Sequence, residues 1–175
     1  MPIDAASMRD TLRFWASGVS VVTTAHDDEN GHHIAGMTVS AFNSLSLEPP
    51  LVLTCLNKDT TSAHLIKASG LLAVSILTSE QAYLSDRFAG RVPLASNEDR
   101  FDGIPIFTAV TGAPILRGAL AWLDCHVRTI QDGSTHWIVI SEVLAAGHID
   151  ASAVPLLYYN RAYNTVVTEA ETEPE

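Results

Sequence analysis

Three strand-like runs follow one another between residues 19 and 56 with only turns between them, which leaves little choice of fold. Val19-Ser-Val-Val-Thr-Thr-Ala25 is β-branched and reads as a strand. Asp27-Asp-Glu-Asn-Gly31 is a turn, and Ile34 to Leu47 predicts a second, longer strand. Glu48-Pro-Pro50 stops it, because proline cannot donate into a ladder. Leu51-Val-Leu-Thr-Cys-Leu56 then reads as a buried third strand. Strands joined by turns this short run antiparallel, since a parallel pair needs a long crossover.

The remainder continues the pattern. Ser7-Met-Arg-Asp10 reads as a capping box for a helix from Met8 to Ser17, with Gly18 placed to end it. Ala63 to Ser69 predicts a short helix closed by Gly70, and Leu71 to Leu77 a strand. Thr78-Ser-Glu-Gln81 is a second capping box, opening a helix that runs to about Ala89. Gly90 to Pro114 is rich in Gly, Pro, Asp and Asn and reads as a long surface excursion. Leu116 to Ile130, a turn at Asp132-Gly133, and Thr135 to Ala146 form a hairpin; a short strand, Pro155 to Tyr159, follows. About six to eight strands in hairpins, with short helices between them, predict a mainly β fold: an antiparallel barrel with peripheral helices. No GxGxxG or Walker motif supports a doubly wound fold. The chain of 175 residues reads as one domain over 1–167 and an acidic, solvated tail over 168–175, with Glu169, Glu171, Glu173 and Glu175.

A net charge of −10 argues against nucleic acid or an anionic membrane surface as partner. No apolar run approaches the roughly 20 residues of a membrane span, and no basic-then-apolar leader opens the sequence. Cys55 and Cys125 lie in strand-like runs without CxxC spacing. Reduced thiols and a cytoplasmic location fit this pattern, with a Cys55–Cys125 bridge left open.

Gly36-Met-Thr-Val-Ser-Ala-Phe42 carries small and hydroxyl-bearing residues where a strand is ordinarily bulky. Such a strand lets a flat ring approach its backbone, and the hydroxyls of Ser40, Ser44 and Ser46 can meet a polar ring edge; an ordinary exposed sheet face remains the other reading. The loop 57–62 leaves a strand and enters a helix. Its N–H groups, the hydroxyls of Thr60, Thr61 and Ser62, and the charge of Lys58 suit a phosphate. The other reading is that one of the three hydroxyls is simply an N-cap. Arg87, and Arg100 in the long loop, are further candidate cations. His136 stands at a strand mouth, where an imidazole can donate to a nicotinamide or to charge developing on a flavin. His26, His32 and His33 flank the first hairpin, but no second cluster of Cys or Asp at ligand spacing joins them, so no metal is expected. No GxSxG elbow supports serine hydrolysis.

Several segments together resemble the short-chain flavin reductases, the reductase components of two-component monooxygenases. They are Phe14 to Thr24, Gly36 to Phe42, Ser46-Leu-Glu-Pro-Pro-Leu-Val52, Arg100-Phe101, Leu123-Asp-Cys125 and Pro155-Leu-Leu-Tyr-Tyr159, in the family's order. The resemblance implies a split β-barrel that binds FMN, or FAD, as a homodimer with the flavin near the subunit interface. It implies hydride transfer from NADH or NADPH to the flavin, which then leaves for a separate monooxygenase. Carried over residue by residue, Thr38, Val39, Ser40 and Ala41 contact the ring, Asn57, Lys58 and Ser62 serve the ribityl-phosphate side, and Arg87 and Phe88 lie close by. Where the family commonly has Gly-Asp-His, this chain has Ser134-Thr-His136, which loosens the implied handling of the nicotinamide. A tightly held flavin acting on another small acceptor, and a non-catalytic flavin-binding module, are the competing readings. A pyridoxamine-phosphate oxidase site normally draws on several basic residues, and this chain has only ten Lys and Arg.

Overall fold

The computed structural model describes residues 2–96, 98–149 and 152–167. In chain order the elements are α1 (Ala5–Leu12), β1 (Ser17–Gly18), β2 (Ser20–Asp28), β3 (Gly31–Val39), β4 (Phe42–Leu47), β5 (Pro50–Asn57), α2 (Thr61–Ser69) and β6 (Leu71–Ile76). A 3-10 turn at Ser79–Gln81 leads into α3 (Ala82–Phe88), followed by β7 (Ile106–Phe107), β8 (Ile115–Leu116), β9 (Ala121–Gly133), β10 (His136–His148), β11 (Leu157–Tyr159) and β12 (Ala162–Asn164). Seven strands form one sheet in the order β3-β2-β6-β9-β10-β5-β4, and every neighbouring pair is antiparallel.

The edge strands β3 and β4 are consecutive in the chain, separated only by Ser40 and Ala41. The expected single strand from Ile34 to Leu47 is therefore two. Its first half pairs with β2 and its second with β5, so the sheet curls until its two edges meet at one corner. There the Cys55 amide donates to the Ala41 carbonyl at 3.0 Å. The hydrogen-bonded ladder stays open between the edges, which makes the barrel a split one.

Other boundaries also move. The first helix starts at Ala5 because Asp4, not Ser7, caps it: an Asp4 carboxylate oxygen accepts the Ser7 amide at 2.7 Å. The β9–β10 turn sits at Ser134-Thr135, where Ser134 has φ 70° and its amide donates to Asp132. Asp132-Gly133 thus ends the ladder instead of forming the turn. A strand at Ala162–Asn164 that the sequence did not suggest pairs with β11. The acidic stretch 168–175, and Asn97 in the long loop, lie outside the described residues.

Two cores explain why β2 is buried on both faces. Val22, Val52, Leu56 and Val139 fill the inside of the curled sheet, and α2 plugs one end with Ala63 and Ile66. Val19, Val21, Leu77, Leu84, Phe88 and Phe101 pack outside it, under α3 and the excursion. That excursion is pinned by Asp124, fully buried, which accepts from the amides of Val110 and Thr111 at 2.6 and 2.8 Å and from the Thr111 hydroxyl. Cys55 and Cys125 are free; burial foremost, with Asp124 beside it, pushes the Cys125 thiol up to about 12. No helix among the described residues is long and apolar enough to cross a membrane.

Candidate functional site

Strand β3 meets three hollows in succession. The first, about 600 Å3, lies between Gly36, Met37 and Thr38, the start of α2, and residues 99–101. Gly36 is required there: a β-carbon would stand 2.9 Å from two ring atoms of Phe88 and 3.2 Å from Phe101. Those rings meet edge to face with centroids 5.0 Å apart, and both line the hollow.

At the α2 end, the Thr60 hydroxyl accepts from the Ala63 amide at 3.3 Å and donates to the Asn57 carbonyl at 2.8 Å. The Asn57 side-chain oxygen accepts from the Asp59 amide at 3.0 Å. Thr60 is thus the N-cap, committed to its own helix. Thr61 and Ser62 differ: both line the hollow, and among the described residues neither hydroxyl bonds elsewhere in the chain. The first amides of the helix have no intrahelical acceptor. Two hydroxyls, unspent amides and the positive helix pole are the donor chemistry a phosphate monoester takes. Asp59 and Asp99 share the lining, and Arg100 adds a cation against them. Asp99 is occupied in accepting the amides of Phe101 and Asp102 at 2.6 and 3.0 Å.

The second hollow, about 890 Å3, lies between the N-terminal arm and the corner: Arg9, Arg13, Trp15, Ser40, Ala41, Phe42, Tyr158 and Arg161 line it. A third, of about 170 Å3, shares Thr38 in its lining with the first and Ser40 with the second. The Thr38 hydroxyl donates to the Ser85 carbonyl at 2.7 Å, fastening α3 to β3. Beside it Asp86 accepts from Tyr163 at 2.7 Å and Arg91 at 3.0 Å. The Tyr163 hydroxyl foremost, then Arg91, holds the Asp86 carboxyl below the usual carboxylate range. Burial pushes the Tyr163 phenol up.

Thr38, Asn57, Thr60, Thr61, Ser62, Phe88 and Arg100 therefore converge on one hollow, while Ser40 and Ala41 border another. The other candidates stand apart. Val39 points into the inner core and is 5 % exposed. Ser46, on β4, pairs with Leu51 of β5 and lines none of the three hollows. Arg87 donates to the carbonyls of Asp99, Arg100 and Asp102 at 2.7 to 2.9 Å, so it positions Arg100's loop from behind. Lys58 pairs with Asp132 at 2.8 Å, and its amide donates to the Thr135 carbonyl. The hydrogen bond from the Lys58 ammonium foremost, then that from the Ser134 amide, lowers the Asp132 pKa. His136 is exposed, lies opposite Asn57 in the β10–β5 ladder, and has Nδ1 2.9 Å from the Thr135 hydroxyl. The tie between Lys58 and the His136 hairpin went unseen in the sequence, as did Met37 and Phe101 as walls, and Arg13, Trp15, Arg91 and Tyr163. Trp15, 75 % exposed, had a signal in hindsight: a large ring two residues before a strand, with nothing of its own to bury it.

Residues 12–167 match the family described as flavin reductase like domain. The reductase subunit HsaB of a flavin-dependent monooxygenase from Mycobacterium tuberculosis is 37 % identical over 171 residues, covering 97 % of this chain and 87 % of the relative. The FMN reductase (NADH) RutF of Stutzerimonas stutzeri is 36 % identical over 163 residues, covering 93 % and 89 %. Among solved structures, the NADH:FAD oxidoreductase SgcE6 of Streptomyces globisporus C-1027, in complex with NAD and FAD fragments, superposes with a TM-score of 0.83 at 30 % identity over 96 % of each chain.

Proposed function

This chain belongs to the flavin reductase like family, and from that membership we propose that it is an NADH- or NADPH-dependent flavin reductase, supplying reduced FMN or FAD to a separate monooxygenase. The observation that carries the reading is the succession of three hollows along β3, from unspent hydroxyl and amide donors at α2 to the small-residue corner at Ser40-Ala41. The names of the relatives support both flavin and NADH, and support a monooxygenase as recipient.

In this reading the amides and hydroxyls of Thr61 and Ser62 hold the flavin phosphate, with Arg100 supplying charge. Thr38, Ser40 and Ala41 offer a low backbone surface to the ring. The flavin, when bound, supplies the chemistry by accepting hydride from the reduced nicotinamide. The protein's part is to bring two flat rings together and to donate hydrogen bonds to their polar edges. His136, set beside Asn57 by the ladder, donates to the nicotinamide. Lys58 reaches the phosphate by exchanging its exposed partner Asp132, whose competing attraction is weak in water.

A homodimer belongs to the same proposal. α1 has no buried residue and leaves Met8 exposed, and the edge strand β4 exposes Leu45 and Leu47, the latter 84 %. An apolar edge strand of this kind is normally covered. A cytoplasmic location also fits, since both cysteines are free thiols. The test is oxidation of NADH and NADPH by purified protein with FMN, FAD, riboflavin or no flavin. Oxidation that depends on added flavin and passes electrons to an external acceptor supports the proposal. Flavin binding without turnover would replace it with a binding module, and turnover by a flavin that stays bound would replace it with a prosthetic-group oxidoreductase.

A further inference from the structure

We propose that Asp59 makes the hollow at α2 select phosphate by charge, taking a singly charged phosphoryl group, as in the diphosphate of FAD, in preference to the doubly charged monoester of FMN. Asp99 adds to the same field, and Asp59 is the specificity-determining residue. The proposal rests on the flavin reductase reading above and adds to it which flavin the hollow favours.

The balance of side-chain charge is the first argument. The lining holds two carboxylates, Asp59 and Asp99, against one guanidinium, Arg100. Arg100 is partly spent, since its Nη1 donates to the Phe88 carbonyl. Thr61, Ser62 and the first amides of α2 offer dipoles, and a helix start adds roughly half a positive charge. Drawing Lys58 away from Asp132 raises the side-chain sum only to zero, two cations against two anions. Such a site meets one phosphate charge and sets nothing against a second. A phosphate monoester carries about 1.5 to 2 negative charges at pH 7. Each phosphate of a diphosphate bridge carries a single one.

Position singles out Asp59. It stands between Lys58 and the N-cap Thr60, so it leads directly into the amides that receive the phosphate. Its own amide is fixed on the Asn57 side-chain oxygen at 3.0 Å. Its carboxylate is exposed and, among the described residues, makes no hydrogen bond or ion pair. Asp99 differs, because the amides of Phe101 and Asp102 offset part of its charge. An acid beside a helix start also steadies the helix, so stability alone does not report the selectivity.

The other charged and titratable groups around the hollow are committed elsewhere, and none of them lines it. Arg87 serves three carbonyls behind the loop, Glu98 accepts the Ala95 amide, and Asp102 accepts the Asp99 amide. His64 of α2 packs edge to face on Trp137. His136 stands opposite Asn57 with Nδ1 on the Thr135 hydroxyl.

Calorimetric titration with FMN, FAD and riboflavin at about pH 8 and about pH 5.5, either side of the second phosphate pKa near 6, tests the proposal. Protonation removes the charge for which the hollow has no partner, so FMN should tighten about threefold or more on acidification. The FAD phosphates have no proton to gain in this window. FAD therefore reports any titration of the protein itself, His136 included, and should move less. Asp59→Asn keeps the shape of the side chain. It should tighten FMN about threefold at the higher pH, flatten the pH dependence and leave riboflavin unmoved, and salt should shrink the gap to the wild type. FMN bound more tightly than FAD at the higher pH, or an FMN pH dependence unaltered in Asp59→Asn, would overturn the proposal. Either result leaves the reductase reading standing, because flavin still binds and NADH oxidation can still depend on it. Binding of no flavin at either pH would overturn that reading and this proposal with it.

Discussion

The two hollows at the ends of β3 present their hydrogen-bond donors by opposite means. At α2 the donors are backbone amides and short hydroxyls, placed by a capped helix that also plugs the barrel core through Ala63 and Ile66. At the arm they are long guanidinium groups on a helix that buries nothing and on a loop at the chain's far end. Geometry at the first end is inherited from the fold. At the second it depends on side chains that pay conformational entropy to be ordered. The first should therefore be selective and rigid, the second tolerant and sensitive to salt.

The largest expected effect comes from filling the rigid end. Gly36→Val drives a side chain into the Phe88 ring and should destabilise by about 1–3 kcal/mol, read as a lower Tm, with FMN binding lost. Unchanged stability would mean that the Phe88–Phe101 wall is soft. Next, Arg87→Ala removes a clamp on three carbonyls and should cost ~1–2 kcal/mol. Limited proteolysis between residues 91 and 105 should quicken and FMN should weaken. Unchanged proteolysis would mean that the loop at the rigid end is held without Arg87.

His136→Ala sharpens it further. The histidine sits beside Asn57, yet it is assigned to the nicotinamide, so KM for the donor should rise a few-fold, about what one hydrogen bond contributes, with KM for flavin steady. The reverse pattern would move His136 to the flavin. Smallest is an effect of acid. The Asp86 carboxyl is held low in the folded protein, so its contribution to stability is present above the ordinary carboxylate pKa of about 4 and is lost as pH falls through the lower folded value. Tyr163→Phe removes the foremost cause. Melting temperatures measured between about pH 5 and pH 3 should fall less steeply in the variant than in the wild type; identical slopes would contradict the assignment.

Local chemistry made much of this legible in the sequence. The β2–β3 hairpin, the Gly70 stop and the Thr78–Gln81 box all depend on near neighbours and are found in the structure, while α2 begins at Thr61, two residues before the expected Ala63, because Thr60 caps it. The misses are long-range. Nothing within Ile34 to Leu47 says that the strand changes partner at Ser40, because the cause is the curl of a seven-stranded sheet. Arg87 looked like a free cation because its acceptors, three backbone carbonyls in an irregular loop, carry no sequence signal. Lys58 looked free because Asp132 lies on another hairpin. The arm hollow was invisible for the same reason: Arg9 and Arg161 are separated by most of the chain.

The most direct measurement is the pair of dissociation constants for FMN and riboflavin, by flavin fluorescence, in the wild type and in Thr61→Ala/Ser62→Ala. The two flavins differ only in the phosphate, and the two hydroxyls are the unspent donors at α2. FMN should weaken about tenfold in the variant with riboflavin unmoved. Equal weakening of both, or of neither, would mean that the helix start does not hold the phosphate.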